Sequence, residues 1–378
     1  MNPAPGPFRK ISILMPAYNE RHFAAESLRR ALEAPLPGGL AREVVAVDDG
    51  SSDGTGEILE AAAARHPETV RVVRHERNRG KGAAIRTAVA HATGDLAIVQ
   101  DADLEYDPRE YAAVLSPILE GVADVVYGTR FAMAGRRRVL FFWHAVGNRF
   151  LTAFSNLCTG LTLTDMSTCY KAFRMSVLRT IPIRSDRFGF EPEITAKIAK
   201  RGYRIYDVPI SYQGRTYREG KKITWRDGVA ALWTILKYRL VDDLYDEKYG
   251  HAFLHALSGA PRLNAWMADA IRPHVGERVL EIGAGMGNLT TELLPRDRYV
   301  ATDIDPLHLE SLANRFAGWP QMEVAKVDLP VAEDYAPFRG GVDTVVCLNV
   351  LEHVEEDVAS LRNFREVLAP GGRAVVLV

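Results

Sequence analysis

Cysteine is scarce in this chain: Cys158, Cys169 and Cys347 are the only three among 378 residues, and no two form a CxxC pair. That excludes a local zinc knuckle or dithiol couple and fits a reducing cytosol. Net charge is equally slight, at -1. Bulk charge therefore supplies no field for gathering nucleic acid, and no nucleic-acid partner is expected. Long apolar runs are also missing. Residues 139–157 are interrupted by Asn148, Arg149 and Asn156, and 229–241 are too few to span a bilayer. The opening MNPAPGPFRK lacks the apolar core of a secretory signal. The expectation is a cytoplasmic protein that crosses no membrane.

What is present is ordinary globular composition, with 47% hydrophobic and 25% charged residues, in a chain longer than one core usually supports. Two domains are expected. Short β-branched runs at 11–15, 43–47, 70–73 and 96–99 alternate with helical patterns at 22–33, 55–65 and 82–92, the rhythm of a parallel α/β sheet. The rhythm restarts at 278–282 and continues at 298–302, 342–347 and 373–378. Between the two lies a charged, then Gly/Pro-punctuated stretch at 242–262. The boundary is placed near Asp246, giving domains 1–245 and 246–378.

Polar, glycine-bearing segments follow the first strands directly: PAYNE, VDDGSSDGT at 47–55 and QDADLEYDP. Open α/β sheets bind ligands at such strand ends. Asp101 and Asp103, at i and i+2 of an extended segment, would point the same way and share Mg²⁺ or Mn²⁺ with phosphate oxygens. If the acceptor is itself a phosphate monoester, it is already ionised and needs cations to position it in place of a base. Arg130, Arg215, Arg218, Lys221 and Lys222 are the candidates. If the acceptor is a sugar hydroxyl, a base is required, and Glu191 or Glu193 is the carboxylate to consider.

These motifs carry a resemblance. ISILMPAYNE, VVAVDDGSSDGT, NRGKGAAIRTAVAHATGD and QDADLEYDP stand in the order and spacing of family 2 glycosyltransferases. VVYGTRF, DMSTCYKAFR, FGFEPEITAKIAKRGYRIYDVPISY and GRTYREGKKITWRDG resemble the dolichyl or polyprenyl phosphate sugar transferase branch. The resemblance covers roughly the first 240 residues. It implies a GT-A nucleotide-sugar-binding fold and an inverting, metal-dependent transfer of a hexose from a nucleotide-diphosphate sugar to a polyprenyl phosphate. It implies that Pro16, Tyr18, Glu20 and Asp49 line the nucleotide and that Asp101 and Asp103 hold metal and diphosphate. Glu105 stands where the branch often has glutamine. Arg130 and Arg215 match basic positions of the branch, with Arg218 and Lys221 beside the acceptor. Thr168 stands where the family has serine, while Cys169-Tyr170-Lys171 departs from its Gly-Phe-Arg. A saccharide acceptor in surface polysaccharide synthesis, and an inactive sugar-nucleotide-binding scaffold, are the alternatives.

A lipid acceptor should leave a second trace. Val139, Phe142, Val146, Phe150, Ala153 and Leu157 recur at helical spacing opposite His144, Asn148, Thr152 and Asn156, directly after Arg136, Arg137 and Arg138. That is either a helix lying in an anionic membrane surface or an amphipathic helix packed on its own domain. The first reading makes the protein peripheral at the inner face of the membrane.

In the second domain, VLEIGAGMGNLT places Gly283, Gly285 and Gly287 between a strand and a helix. Asp303 ends the next strand, suited to two ribose hydroxyls. With VDL at 327–329 and NVLEHV at 349–354, this resembles class I S-adenosylmethionine-dependent methyltransferases, which are Rossmann-like, over about 250–378. By that resemblance Glu281, Gly283, Gly285, Gly287 and Asp303 contact S-adenosylmethionine, Asp328 sits near the adenine, and His353 is either structural or an active-site residue. The family's sheet has seven strands, and VVLV reads as the fifth, so a C-terminally incomplete domain with little methyl transfer is expected.

Overall fold

The computed structural model describes residues 8–131, 138, 142–215, 225–241, 243 and 260–378. It divides into two compact units, one within residues 4–244 and one within 245–378. Each is described by itself. The boundary region around Asp246 lies outside the described residues.

The first unit is built on a seven-stranded sheet. Its strands are β1 (Lys10–Ala17), β2 (Ala41–Asp48), β3 (Val70–Arg74), β4 (Leu96–Val99), β5 (Val125–Thr129), β6 (Lys171–Arg174) and β7 (Ile205–Pro209), in the order β3-β2-β1-β4-β6-β5-β7. All pairings are parallel except those of β6, which runs antiparallel to β4 and β5. The helices are α1 (Ala24–Glu33), α2 (Thr55–Arg65), α3 (Lys81–His91), α4 (Tyr111–Leu119), α5 (Phe142–Thr159), α6 (Met175–Thr180), α7 (Phe190–Lys200) and α8 (Trp225–Leu240). Ile11, Ile13, Val44, Val47, Ile98 and Val99 are buried in one core, which is why these strands read as continuous apolar runs.

Parallel strands all end on the same edge, so the segments after β1, β2 and β4 meet there. One expectation about geometry is corrected. β4 stops at Val99 and residues 102–103 form a turn, with Leu104 at φ 61. Asp101 and Asp103 are therefore brought together by a turn and not by strand alternation.

α5 carries the amphipathic stretch, of which residues 139–141 lie outside the described set. Its apolar stripe faces outward: Phe142 is 70% exposed, Phe150 57% and Leu157 80%. The polar stripe faces inward. The Met166 amide donates to Thr152 Oγ1 at 3.2 Å. Asn156 donates to the Leu163 carbonyl at 2.8 Å and accepts from the Leu163 amide at 3.1 Å. The polar face thus anchors the loop before β6, and the stripe is not core. α5 packs on α8, which also presents exposed Val229, Trp233, Leu236 and Leu240.

The second unit has five parallel strands: β8 (Arg278–Ile282), β9 (Arg298–Asp303), β10 (Met322–Lys326), β11 (Val342–Leu348) and β12 (Leu368–Leu377). Their order is β10-β9-β8-β11-β12. Leu280, Ile282, Val300, Val345 and Phe364 fill one side of the sheet; Val279, Tyr299, Leu312 and Phe316 fill the other. This is the Rossmann-like arrangement expected.

Candidate active site

At the strand-end edge of the first unit, Arg215 gathers carboxylates from separate segments. Its Nη1 and Nη2 reach the two Glu20 oxygens at 3.0 and 3.1 Å, its Nη2 reaches Asp103 Oδ2 at 2.8 Å, and its Nε reaches Glu105 Oε1 at 3.3 Å. The Arg215 amide also donates to Glu105 Oε1 at 2.9 Å, and Tyr212 donates to Glu105 Oε2 at 2.8 Å. Beside this group, Lys81 Nζ bridges Asp101 Oδ2 at 3.0 Å and Glu191 Oε1 at 3.1 Å. Burial alone would push the Lys81 ammonium down, but Asp101, then Cys169 and Glu191, hold it well above the usual lysine range.

Five carboxylates, those of Glu20, Asp101, Asp103, Glu105 and Glu191, thus share two side-chain cations. The deficit registers on Asp103: burial first, then the neighbouring Asp101 and Glu105, push it up to about 7 against the pull of Arg215. Among the described residues no three His, Cys, Asp or Glu side chains form a ready metal cage. A magnesium-type ion in a phosphate site does not need one, since it takes one or two carboxylates together with phosphate oxygens. The excess of buried negative charge makes Asp101 and Asp103 a fitting donor set for such an ion.

Other expected residues are placed differently. Asp49 is buried beneath the loop that starts α3: it accepts from the amides of Arg79 at 2.9 Å and Gly80 at 2.6 Å, and meets His75 Nδ1 at 2.7 Å. Gly80 has φ 100, and a Cβ there would stand 2.4 Å from the Asp186 carbonyl oxygen, so only glycine lets this loop seat. Pro16 lies in β1, and Tyr18 just after it is 38% exposed.

Arg130 is committed to Asp165, with Nε to Oδ2 at 2.6 Å and Nη2 to Oδ1 at 2.8 Å, and its guanidinium lies 5.0 Å from the Tyr212 ring centre. Thr168 is fully buried, and no hydrogen-bond partner is found for its hydroxyl. Its carbonyl and that of Met166 hold the buried Lys171 ammonium, which desolvation lowers to about 8.

Glu193 does not reach the site. Its oxygens take the Arg184 amide at 2.8 Å, the Ser185 amide at 2.6 Å and Lys197 Nζ at 2.7 Å. Burial would raise it, but Lys197 and Ser185 bring it below the usual carboxylate range. Glu191, two residues earlier, is the acid that faces Lys81 and Asp101. Arg218, Lys221 and Lys222 lie outside the described residues.

Sequence reasoning missed Lys81, Asp165 and Tyr212, although all three lie within the quoted motifs. A lysine directly after glycine at a helix start, and an aspartate three residues before Thr168, were the available signals.

In the second unit, Gly283, Gly285 and Gly287 turn with φ 68, 55 and 76, and the Gly285 amide donates to Asp303 Oδ2 at 2.9 Å. His308 Nδ1 stands 3.1 Å from Asp303 Oδ1. Asp303 therefore lies against the glycine turn. Glu281, expected to contact the cofactor, is instead turned inward: Thr290 Oγ1 and Tyr299 donate to its Oε2 at 2.5 and 2.9 Å. Asp328 follows β10, with its amide bonded to Asp334 at 2.9 Å. His353 is exposed in a short turn.

Residues 12–181 match the family described as Glycosyl transferase family 2, and residues 280–374 match the family described as Methyltransferase domain. The chain is similar to the undecaprenyl-phosphate 4-deoxy-4-formamido-L-arabinose transferase of Edwardsiella ictaluri (strain 93-146). Identity is 32% over 211 residues, 56% of this chain and 62% of that protein. The protein of the same description from Pseudomonas aeruginosa (strain LESB58) is 31% identical over 217 residues, 57% of this chain and 61% of its own. The chain spans less than two thirds of the length of these relatives. Among solved structures, it is similar to glucosyl-3-phosphoglycerate synthase from Mycobacterium tuberculosis in complex with Mn²⁺, uridine diphosphate and phosphoglyceric acid. Identity there is 21%, with a TM-score of 0.49 over 62% of this chain and 80% of that one. The chain thus carries a match to glycosyl transferase family 2 over residues 12–181, where it is similar to the undecaprenyl-phosphate sugar transferases, and a match to a methyltransferase domain over residues 280–374.

Proposed function

We propose that the first unit transfers a hexose from a nucleotide-diphosphate sugar to a polyprenyl phosphate, with inversion, at a site using Mg²⁺ or Mn²⁺. The observation that carries this reading is the carboxylate cluster of Glu20, Asp101, Asp103 and Glu105 at the ends of β1 and β4, which outnumbers its cations. When bound, the metal would neutralise the departing diphosphate, and Asp101 and Asp103 would hold it. The acceptor phosphate oxygen forms the new bond to the anomeric carbon as the bond to the diphosphate breaks. No proton has to be removed, so no general base is needed. Neither Glu193, held by Lys197, nor Glu191, paired to Lys81, stands as a free base, which favours a phosphate acceptor over a hydroxyl.

The relatives' printed acceptor, undecaprenyl phosphate, supports the same class of acceptor. Among the described residues no helix is long and apolar enough to cross a membrane. The outward apolar stripes of α5 and α8, accompanied among the described side chains by exposed Arg149, Lys237 and Arg239 and one acid, Asp227, suit an anionic leaflet. The second unit is read as binding S-adenosylmethionine through the turn at Gly283, Gly285 and Gly287 and through Asp303. The test is to incubate the full chain with UDP- and GDP-sugars, Mn²⁺ and polyprenyl phosphate and to extract the lipid. A labelled lipid-linked sugar is expected. Transfer to a saccharide hydroxyl with none to lipid phosphate would overturn the acceptor assignment.

A further inference from the structure

Arg215 was expected to hold the acceptor, yet in this structure it is bound to the donor site. Four of the five N–H groups of its guanidinium are spent on Glu20, Asp103 and Glu105. Its side chain is 13% exposed and lies 5.5 Å from the Phe23 ring centre, so the arrangement is sheltered from water. In this state Arg215 has little left for an acceptor phosphate. Asp103 Oδ2, in turn, is not free for a divalent ion. The two cations compete for the same oxygen, and two positive charges in contact with one carboxylate repel each other strongly in a partly dehydrated site.

We infer that Arg215 is a tethered counter-cation: it holds Glu20, Asp103 and Glu105 together while no divalent ion is present, and it leaves Asp103 when that acid takes one. The consequence, which rests on the transferase reading above, is an order of events. Loading of metal and donor frees the guanidinium, and only then does a fixed positive charge become available to an incoming phosphate monoester. The site is thereby guarded against binding acceptor before donor. Lys81 does not compete at Asp103, because its bridge runs from Asp101 to Glu191.

The test uses the full chain without nucleotide and Mn²⁺ alone, with free Mn²⁺ counted by electron paramagnetic resonance. Arg215→Gln and Arg215→Ala are expected to bind Mn²⁺ at least about tenfold more tightly than wild type, since they remove the competing charge. Arg215→Lys, which keeps a cation, should stay near wild type. Millimolar guanidinium ion should weaken Mn²⁺ binding by Arg215→Ala and leave wild type unaffected. A melting curve for each variant establishes that the fold is intact. Unchanged or weaker Mn²⁺ binding in folded Arg215→Gln and Arg215→Ala, or Arg215→Lys binding as tightly as Arg215→Gln, would overturn the inference. If the affinities shift as expected but no lipid-linked sugar is formed by wild type, the transferase reading fails and the counter-cation role stands.

Discussion

Arg130 and Asp165 form a two-point ion pair whose side chains are 10% and 0% exposed, joining the end of β5 to the loop that α5 supports through Thr152 and Asn156. A pair this sheltered is costly to break by removing one member, because the other is left buried and uncompensated. Asp165→Asn is therefore expected to destabilise the first unit by about 3 kcal/mol and Arg130→Ala by a similar amount. Replacing both together with Arg130→Met and Asp165→Leu should recover most of that loss. Urea unfolding of the full chain checks this; additive losses in the double variant would mean the two act independently.

Asp103 is the carboxylate that the site strains most, with burial, Asp101 and Glu105 all opposing its charge. Asp103→Asn removes a metal-ligating charge and little packing. Sugar transfer should fall by at least about a hundredfold, as expected when transition-state charge loses its compensation. Without metal, the variant should melt no lower than wild type, because a like-charge neighbour has been removed. Transfer within a few-fold of wild type would remove Asp103 from the reaction.

The sheet of the first unit was legible where strands are buried on both faces. β1, β2 and β4 show up as predominantly apolar, β-branched-rich runs, and the helices α2 and α3 stand within a residue of their expected bounds. β6 was not legible by the same logic. It is four residues long, runs antiparallel and begins with Lys171, a residue that reads as surface but is fully buried on two carbonyls. The site divides in the same way. The acids after β1 and β4 follow from sequence, since strand ends in such sheets carry ligands. Their pairings do not, because Lys81 to Glu191 and Arg215 to Glu20 join segments far apart in the chain. Sequence spacing carries no information on which of Glu191 and Glu193 turns toward the site; the Arg184 and Ser185 amides decide it.

The outward stripes on α5 and α8 lead to a binding prediction. Trp143 is 78% exposed and Trp233 is 70% exposed. Indole rings favour the membrane interface, where an apolar body meets a polar tip. Replacing both with serine should lower binding of the full chain to vesicles containing phosphatidylglycerol by at least about tenfold, with little change in melting temperature. Wild type should bind phosphatidylcholine vesicles more weakly, because the basic residues lose their partners. Equal binding of wild type and double variant in sedimentation assays would exclude these helices as the contact.

Glu281 gives the second unit a pH dependence whose sign follows from its burial. Desolvation raises its carboxyl from the ordinary glutamate range to about 7, although Thr290 and Tyr299 donate to it. In the unfolded chain the same group ionises near its ordinary value. Between those two points the unfolded state has released a proton that the folded state keeps, so the unfolded state binds fewer protons and stability falls as pH rises. The loss begins above the ordinary value, grows through neutrality and levels off once the folded group has also ionised. Its full size is ~3 kcal/mol at one pKa unit per 1.36 kcal/mol. Glu281→Gln cannot ionise and still accepts from Thr290 and Tyr299 through its amide oxygen, so it should abolish this component. Calorimetry of the full chain from pH 5 to pH 9 is the measurement. One transition is expected to fall with pH in wild type and to stay level in Glu281→Gln, with the variant the more stable protein above pH 7. A transition of equal pH dependence in both proteins would mean that Glu281 is ionised in the folded state and that its surroundings compensate the charge.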